Sequence, residues 1–125
     1  MTNLTREWVR KAETDAEMAR LGASATKSPR DAVCFHCQQI AERYLKAVLQ
    51  ESGLPITRTH DLESLLADLV PHFPSLRRLR RGLAFLSNFA VETRYPGKNA
   101  TTRQMKAALR WAERVRQECR AILRI

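Results

Sequence analysis

Residues 33–50 carry two strips of side chains at helical spacing, one apolar and one polar. Positions three or four residues apart lie on the same side of an α-helix. The apolar strip consists of Val33, Cys37, Ile40, Tyr44, Ala47 and Val48. The polar strip consists of His36, Gln39, Arg43, Lys46 and Gln50. This pattern predicts a helix with one side in a core, so its polar side either faces solvent or lines a wet interface.

The other long segments also follow a helical period, and none alternates apolar and polar residues for long enough to suggest a half-buried strand. The sequence therefore predicts an all-α fold, an antiparallel bundle of about five helices. With 125 residues, the chain is expected to form a single domain over residues 1–125. The predicted helices begin near Thr5, Ser28, Thr59 or Asp61, Ser75, and Thr101 or Thr102.

Local residue types predict where these helices begin and end. At the start of the second helix, Ser28 is expected to be the N-cap, with Pro29 at the first helical position and Asp31 completing a capping box. Gly53 can adopt the left-handed conformation that ends a helix. The fourth helix is expected to end by Tyr95, because a residue that precedes proline avoids helical geometry.

The chain is strongly basic, with a net charge of +9. Such an excess favours anionic partners such as nucleic acid, nucleotides or acidic proteins. Two groups of basic residues stand out: Arg77, Arg78, Arg80 and Arg81, and then Arg103, Lys106, Arg110 and Arg114. Either group can follow a phosphate backbone, although charged runs on helices are more often solvated faces.

No apolar run is long enough to cross a bilayer, and the amino terminus lacks the pattern of a signal peptide. A cytoplasmic protein without membrane contact is therefore expected. The three cysteines, an odd number, do not suggest a disulfide framework. Cys34 and Cys37 lie inside a helical pattern, and no further ligand stands at zinc-binding spacing. Buried thiols, no metal site and no cofactor are expected.

Four motifs occur in order along the chain: Trp8 with Lys11-Ala12-Glu13, Phe35-His36-x-Gln38-Gln39-x-Ala41-Glu42-x-x-Leu45-Lys46-Ala47, Thr59-His60-Asp61-Leu62, and Arg94-Tyr95-Pro96. Together they resemble the HEPN domain family over nearly the whole chain. The resemblance implies a helical bundle, usually a homodimer, often encoded beside a minimal nucleotidyltransferase in two-component pairs like those of toxin–antitoxin systems. It also implies a nucleotide-binding role, and many family members are metal-independent ribonucleases.

The ribonuclease branch of the family carries an Arg and a following His with four to six residues between them. Arg94 stands in the matching place, but residues 99–101 are Asn, Ala and Thr, and no His follows His72. A neutral imidazole can take or give a proton near pH 7, whereas an amide cannot. The resemblance therefore favours binding of a nucleotide or RNA phosphate by Arg94 and Tyr95 over catalysis.

Several assignments stay open at this point. His60 can help to bind a phosphate at the start of the third helix, where backbone donors attract anions, whereas Asp61 is expected to cap that helix. A ribonuclease with an unorthodox catalytic set, to which His36 or His60 contributes, is one alternative. A pure protein-assembly module is another. The sequence does not specify which nucleotide or RNA is bound.

The polar strip is interpreted mainly as a contact between two copies of the chain. Glu42 and Lys46 are spaced four residues apart in the orientation that stabilises a helix as a solvated pair. If a second subunit covers them, they form a buried polar network that determines how the two copies dock. The residues assigned to this dimer contact or polar network are His36, Gln39, Glu42, Arg43 and Lys46.

Overall fold

The computed structural model describes residues 1–90 and 95–125, and the regular elements in these ranges are all helices. The elements are α1 (Asn3–Ser24), α2 (Arg30–Glu51), α3 (Leu62–Leu69), a 3₁₀ helix (Pro74–Leu79), α4 (Arg80–Ser87) and α5 (Thr102–Leu123). The all-α prediction is confirmed. In the described ranges, we find no helix with the length and apolar character of a membrane span.

Helix α2 lies at the centre of the bundle and packs against the four other α-helices. Its predicted apolar strip is buried, and Cys37, Tyr44 and Val48 have no exposed surface. Burial of such side chains is the main favourable contribution to folding, roughly 1.5 to 3 kcal/mol for each large apolar group. The central position of α2 means that its polar side chains also meet neighbouring helices.

The predicted capping box at the start of α2 is wrong. Helix α2 begins at Arg30 and has no side-chain cap. The Ser28 hydroxyl instead donates to the carbonyls of Ala23 and Ala25, near the end of α1. The Asp31 carboxylate accepts from the backbone N–H of Ala100 at 2.7 Å. Both polar side chains therefore bond to partners outside α2 in place of its first-turn amides.

The fourth predicted helix is divided in two. Its first part is the 3₁₀ helix with Pro74 at its amino end, and α4 then ends at Ser87, with turns at residues 88–90. The prediction of one continuous α-helix from Ser75 is therefore wrong, while residues 91–94, just before its expected end at Tyr95, lie outside the described residues. Proline lacks an N–H and fixes φ, and a 3₁₀ turn at the amino end of an α-helix is a common result.

Other local predictions are confirmed. Gly53 follows α2 with φ of 68°, the left-handed region that glycine adopts without steric cost. The Asp61 side chain caps α3 by accepting from the N–H groups of Glu63 and Ser64. Thr101 caps α5 in a reciprocal capping box with Gln104. Each of these features depends on the residue itself or on partners two or three residues away, so the local sequence is enough to predict it.

Helix α4 approaches α5 closely at Gly82. A β-carbon placed on Gly82 would lie 2.0 Å from Cε3 of Trp111 and 2.2 Å from its Cδ2. No real side chain fits at that distance, so the absence of a side chain at Gly82 makes room for the indole ring. This contact holds the two helices together near the surface of the bundle.

A group of polar side chains joins α1, α2 and α5. The Glu13 carboxylate accepts from Tyr44 at 2.5 Å and from two nitrogens of Arg116 at 2.7 and 2.8 Å. Arg120 in turn donates to the Tyr44 hydroxyl at 3.1 Å. The hydrogen bonds from Arg116 lower the pKa of Glu13 to about 2, although burial opposes them and Tyr44 adds to them. Burial and the bond to Glu13 raise the pKa of Tyr44 to about 12.

Glu13→Gln is expected to lower the free energy of unfolding near neutral pH and to have little effect near pH 2. The folded-state pKa of about 2 lies below the ordinary value of 4.5. The stabilisation from the charged carboxylate is therefore fully present above 4.5 and is lost as the pH falls from 4.5 towards 2. Urea unfolding of both proteins across this range measures the difference.

Glu17→Gln is the matched control, because Glu17 is exposed on the same helix. Its effect on the free energy of unfolding should be small at every pH. If the Glu13 and Glu17 variants have the same pH dependence, the hydrogen bonds to Glu13 do not contribute to acid stability.

Candidate functional site

The polar strip of α2 is largely covered by the protein's own α1. The Asp15 carboxylate of α1 lies 2.8 Å from Nδ1 of His36 and accepts from Arg43 Nη1 at 2.6 Å. Asp15 is 7% exposed, while His36 and Arg43 are each 27% exposed. Gln39 is half-buried. His36 and Arg43 thus pair within one chain, and the contact between two copies stays a prediction.

Glu42 is the centre of a second buried polar group. Its carboxylate accepts from Gln38 Nε2 at 3.0 Å and Lys46 Nζ at 3.1 Å, and lies 2.8 Å from Nδ1 of His60. Burial alone would raise the pKa of Glu42, but these hydrogen bonds together hold it below the ordinary value. The ammonium of Lys46 also lies 5.6 Å from the centre of the Trp8 ring. Glu42 and Lys46 are therefore an internal network and not a solvated pair.

His60 joins this network from the chain segment before α3. Its side chain is 77% exposed, and Nδ1 bonds to Glu42. Glu42 lies twelve residues beyond Arg30, which corresponds to about 18 Å along α2 at the usual rise. Within one chain, His60 is therefore well separated from the residues around the start of α2.

The segment before α5 is fastened to the start of α2 by a pair of hydrogen bonds. Arg30 Nε donates to the carbonyl of Ala100 at 2.8 Å, and Asp31 accepts from the N–H of the same residue at 2.7 Å. Ala100 is buried. Two bonds to one residue set both the position and the orientation of the segment. Sequence reasoning missed this contact because its partners are about 70 residues apart.

An open cavity of about 850 Å³ lies at this end of the bundle. We call it the basic cavity, because Lys27 and Arg30 are exposed on its wall. Asp31 is its acidic residue, but the carboxylate is already bonded to Ala100. The full lining is Thr26, Lys27, Ser28, Pro29, Arg30, Asp31, Ala32, Asn99, Ala100, Thr102 and Met105.

The first turns of α2 and α5 both contribute to the basic cavity. Helix α2 has no side-chain cap, so the N–H groups of its first turn can donate hydrogen bonds to an anion. Lysine and arginine side chains on the wall add full positive charges. Cations, backbone donors and hydroxyls suit a phosphate group, whereas the described lining contains no histidine for proton transfer. The sequence signal that was missed is the pair Lys27 and Arg30 beside a helix start.

Tyr95 and the turn that follows it lead into the cavity wall through Asn99 and Ala100. The carbonyl of Tyr95 accepts from the N–H of Lys98 at 3.2 Å, and Gly97 has φ of 86°. The Tyr95 ring is exposed, with 62% of its surface accessible. Arg94 falls in residues 91–94, outside the described residues. Its predicted role as a phosphate ligand therefore stays a prediction.

All three thiols are buried, as the sequence predicts. Burial raises the pKa of Cys34 to about 11 and that of Cys37 to about 12, and it also raises the pKa of Cys119. Protonated, covered thiols are poor nucleophiles and poor metal ligands. In residues 1–90 and 95–125, no cluster of three or more His, Cys, Asp or Glu side chains is arranged to hold a metal ion.

The profile of the HEPN domain matches residues 5–122. The chain belongs to the HEPN domain family. This HEPN chain is also similar in structure to TT1696 from Thermus thermophilus, with 23% identity, a TM-score of 0.79 and coverage of 96% of this chain and 98% of that one. It is similar to ST0689, an archaeal HEPN homologue, with 26% identity, a TM-score of 0.75 and coverage of 97% and 98%. No curated protein matches its sequence.

Proposed function

We propose that this HEPN protein binds the phosphate of a nucleotide or of RNA at the basic cavity, through Arg94 and Tyr95. The observation that carries the proposal is the pair of hydrogen bonds from Arg30 and Asp31 to Ala100. They hold the segment that follows Tyr95 against the uncapped start of α2, beside the exposed cation Lys27. A phosphate in the cavity would meet the positive charges of Lys27 and Arg30, and the proposal adds Arg94 as a third cation.

The chemistry of the two proposed ligands fits this role. A guanidinium such as that of Arg94 donates two parallel hydrogen bonds to a phosphate. The exposed ring of Tyr95 offers a face on which a base can stack, and such stacking contributes roughly 1 to 3 kcal/mol per base. Base stacking tolerates any base, so this arrangement supports binding without sequence preference.

We favour binding over cleavage because the described part of the cavity wall has no histidine for proton transfer. The described lining residues include Asn99 where the ribonuclease branch carries a histidine. The imidazole of His60 is bonded to the carboxylate of Glu42, and Glu42 lies on α2 well beyond the turn that lines the basic cavity. We therefore propose a phosphate-binding protein, and we keep a ribonuclease with an unorthodox catalytic set as the alternative.

We further propose that the protein acts as a homodimer and as the HEPN component of a two-component pair with a minimal nucleotidyltransferase. The family assignment supports this proposal. Partly exposed His36 and Arg43 on the α2 strip are available to a second copy. Light scattering after size exclusion tests the dimer. Co-expression with a nucleotidyltransferase from the neighbouring reading frame, if one is present, tests the pair.

Arg94→Ala is expected to weaken ATP and short-RNA binding about tenfold or more. A hydrogen bond to a charged group contributes about 1.5 to 3 kcal/mol, and about 1.4 kcal/mol is a factor of ten. Tyr95→Ala should lower affinity by a similar factor through lost stacking. Titration calorimetry with ATP and with a short single-stranded RNA measures both effects.

Arg58→Ala is the control, because it removes one exposed cation from the segment before α3, away from the basic cavity. It should leave affinity nearly unchanged. An equal loss in Arg94→Ala and Arg58→Ala would mean that only overall charge matters, which contradicts the proposed site. Metal-independent RNA cleavage that Arg94→Ala abolishes would instead favour the ribonuclease alternative.

A further inference from the structure

Four cations on α5 form a stripe that points away from the core. The α5 track, as we name it, consists of Arg103, Lys106, Arg110 and Arg114, all of them exposed. The buried residues of α5 lie on the opposite side of the helix: Met105, Ala108, Ala112, Val115, Cys119 and Leu123. The track runs from Arg103 to Arg114, eleven helical steps or about 16 Å at the usual rise.

Within residues 1–90 and 95–125, the cations of the track lack a carboxylate partner, whereas exposed Arg78 and Arg80 each have one. In the described ranges, none of the four forms an ion pair with a carboxylate. By contrast, Arg78 lies 3.3 Å from Glu118, and Arg80 lies 3.8 Å from Glu63. Four neighbouring positive charges without an acidic partner repel one another, so a bound polyanion would relieve their repulsion.

One end of the track meets the basic cavity. Thr102 and Met105, which line the cavity, alternate with Arg103 and Lys106 on the first turns of α5. At the other end, the guanidinium of Arg114 lies 5.3 Å from the centre of the Trp111 ring. Such a contact limits the conformations of the arginine before a ligand arrives, which lowers the entropic cost of binding.

We propose that the α5 track binds the phosphodiester backbone of a single-stranded RNA whose end occupies the basic cavity. This inference rests on the proposed function, because the basic cavity must hold the phosphate at the end of the strand. It adds that the ligand is a strand and not a mononucleotide. About 16 Å corresponds to roughly five nucleotides at about 3.4 Å per nucleotide in a stacked strand. The contacts are to phosphates, so a DNA strand of the same sequence should bind similarly.

The test compares ATP with labelled RNA strands of about 2 nucleotides, too short to cover the track, and about 8 nucleotides, long enough to cover it, by fluorescence anisotropy at roughly 50 to 200 mM salt. The double variant Arg110→Gln/Arg114→Gln should bind the long strand about tenfold more weakly at low salt. The logarithm of its binding constant should also fall less steeply with the logarithm of the salt concentration. The slope should be smaller by about 1.4, because each lost phosphate contact removes about 0.7. Its affinity for ATP should not change.

The matched control is Arg78→Gln/Arg80→Gln, which removes two cations that already have acidic partners. It should bind the long strand nearly as the unchanged protein does. The inference is overturned if both double variants lose the same affinity, or if the long strand binds no more tightly than the short one. Thermal unfolding of each variant confirms that it is folded.

The two proposals fail separately. If Arg94→Ala weakens ATP and RNA binding while the track variant has no effect, the proposed function stands and the track inference fails. If RNA binding depends on the track while Arg94→Ala changes neither ligand, the cavity site fails and the track stands alone. If the unchanged protein binds neither ATP nor RNA, both are overturned.

Discussion

Glu42→Leu is expected to lower the free energy of unfolding by about 3 to 5 kcal/mol, the usual cost of removing one partner from a buried ion pair. The side chain of Lys46 is only 8% exposed, and its ammonium would lose its carboxylate partner. Gln38 is 1% exposed, and its side-chain amide would lose the acceptor of its hydrogen bond. His60 would lose its link to α2. Urea unfolding, followed by circular dichroism, measures the change.

The control is the double variant Glu42→Leu/Lys46→Met, which removes both charges and keeps similar volume. Replacing a whole buried ion pair by apolar residues is often neutral or stabilising. The double variant should therefore recover much of the stability that the single variant loses. A single-variant cost below about 1 kcal/mol, typical of an exposed pair, would show that the network contributes little.

Gly82→Ala is expected to cost about 3 kcal/mol of unfolding free energy or more, at the upper end for added volume in a packed site. The new methyl group would lie 2.0 to 2.7 Å from ring atoms of Trp111. An indole ring cannot fold away as the end of a flexible side chain can, so α4 and α5 must move apart. The gain in helix propensity from glycine to alanine, about 1 kcal/mol, is too small to offset this. Chemical denaturation with tryptophan fluorescence reports both stability and the environment of the ring.

Gly22→Ala is the comparison, since it makes the same change near the end of another helix. Its new methyl group would lie 2.7 Å from Cγ2 of Val33, and the other neighbours are 3.5 Å or further away. One methyl contact can be relieved by a small shift. Gly22→Ala should therefore cost clearly less than Gly82→Ala, and an equal cost would mean that the Trp111 contact is not the cause.

The sequence was sufficient for the features that depend on near neighbours. The all-α fold, the buried strip of α2, the Asp61 cap and the start of α5 at Thr101 follow from helical periodicity and short hydrogen bonds. The three buried thiols follow from their place in that pattern. Such signals act within a few residues, where the sequence itself brings the partners together.

The sequence was not sufficient where distant partners compete with local ones. Asp31 was predicted to cap its own helix but bonds to Ala100, and Ser28 bonds to the end of α1. The bond between His60 and Glu42, eighteen residues apart, had no signal in the sequence. A missed signal was available in α1, where Asp15 lies on the same side as Ala12 and Ala19. An acidic residue among small buried ones indicates a cationic partner on the facing helix.

The carboxylates of α1 determine how far that helix can slide along α2. Glu13 and Asp15 accept from donors on α2 at separate positions, and Arg116 of α5 also binds Glu13. A displacement of one helical turn, about 5.4 Å, would carry both carboxylates beyond hydrogen-bond reach. The alanines of α1 would still pack in the displaced state, because small apolar side chains discriminate poorly between offsets. The axial alignment of the two helices is therefore encoded by charge, while their adhesion comes from apolar contact.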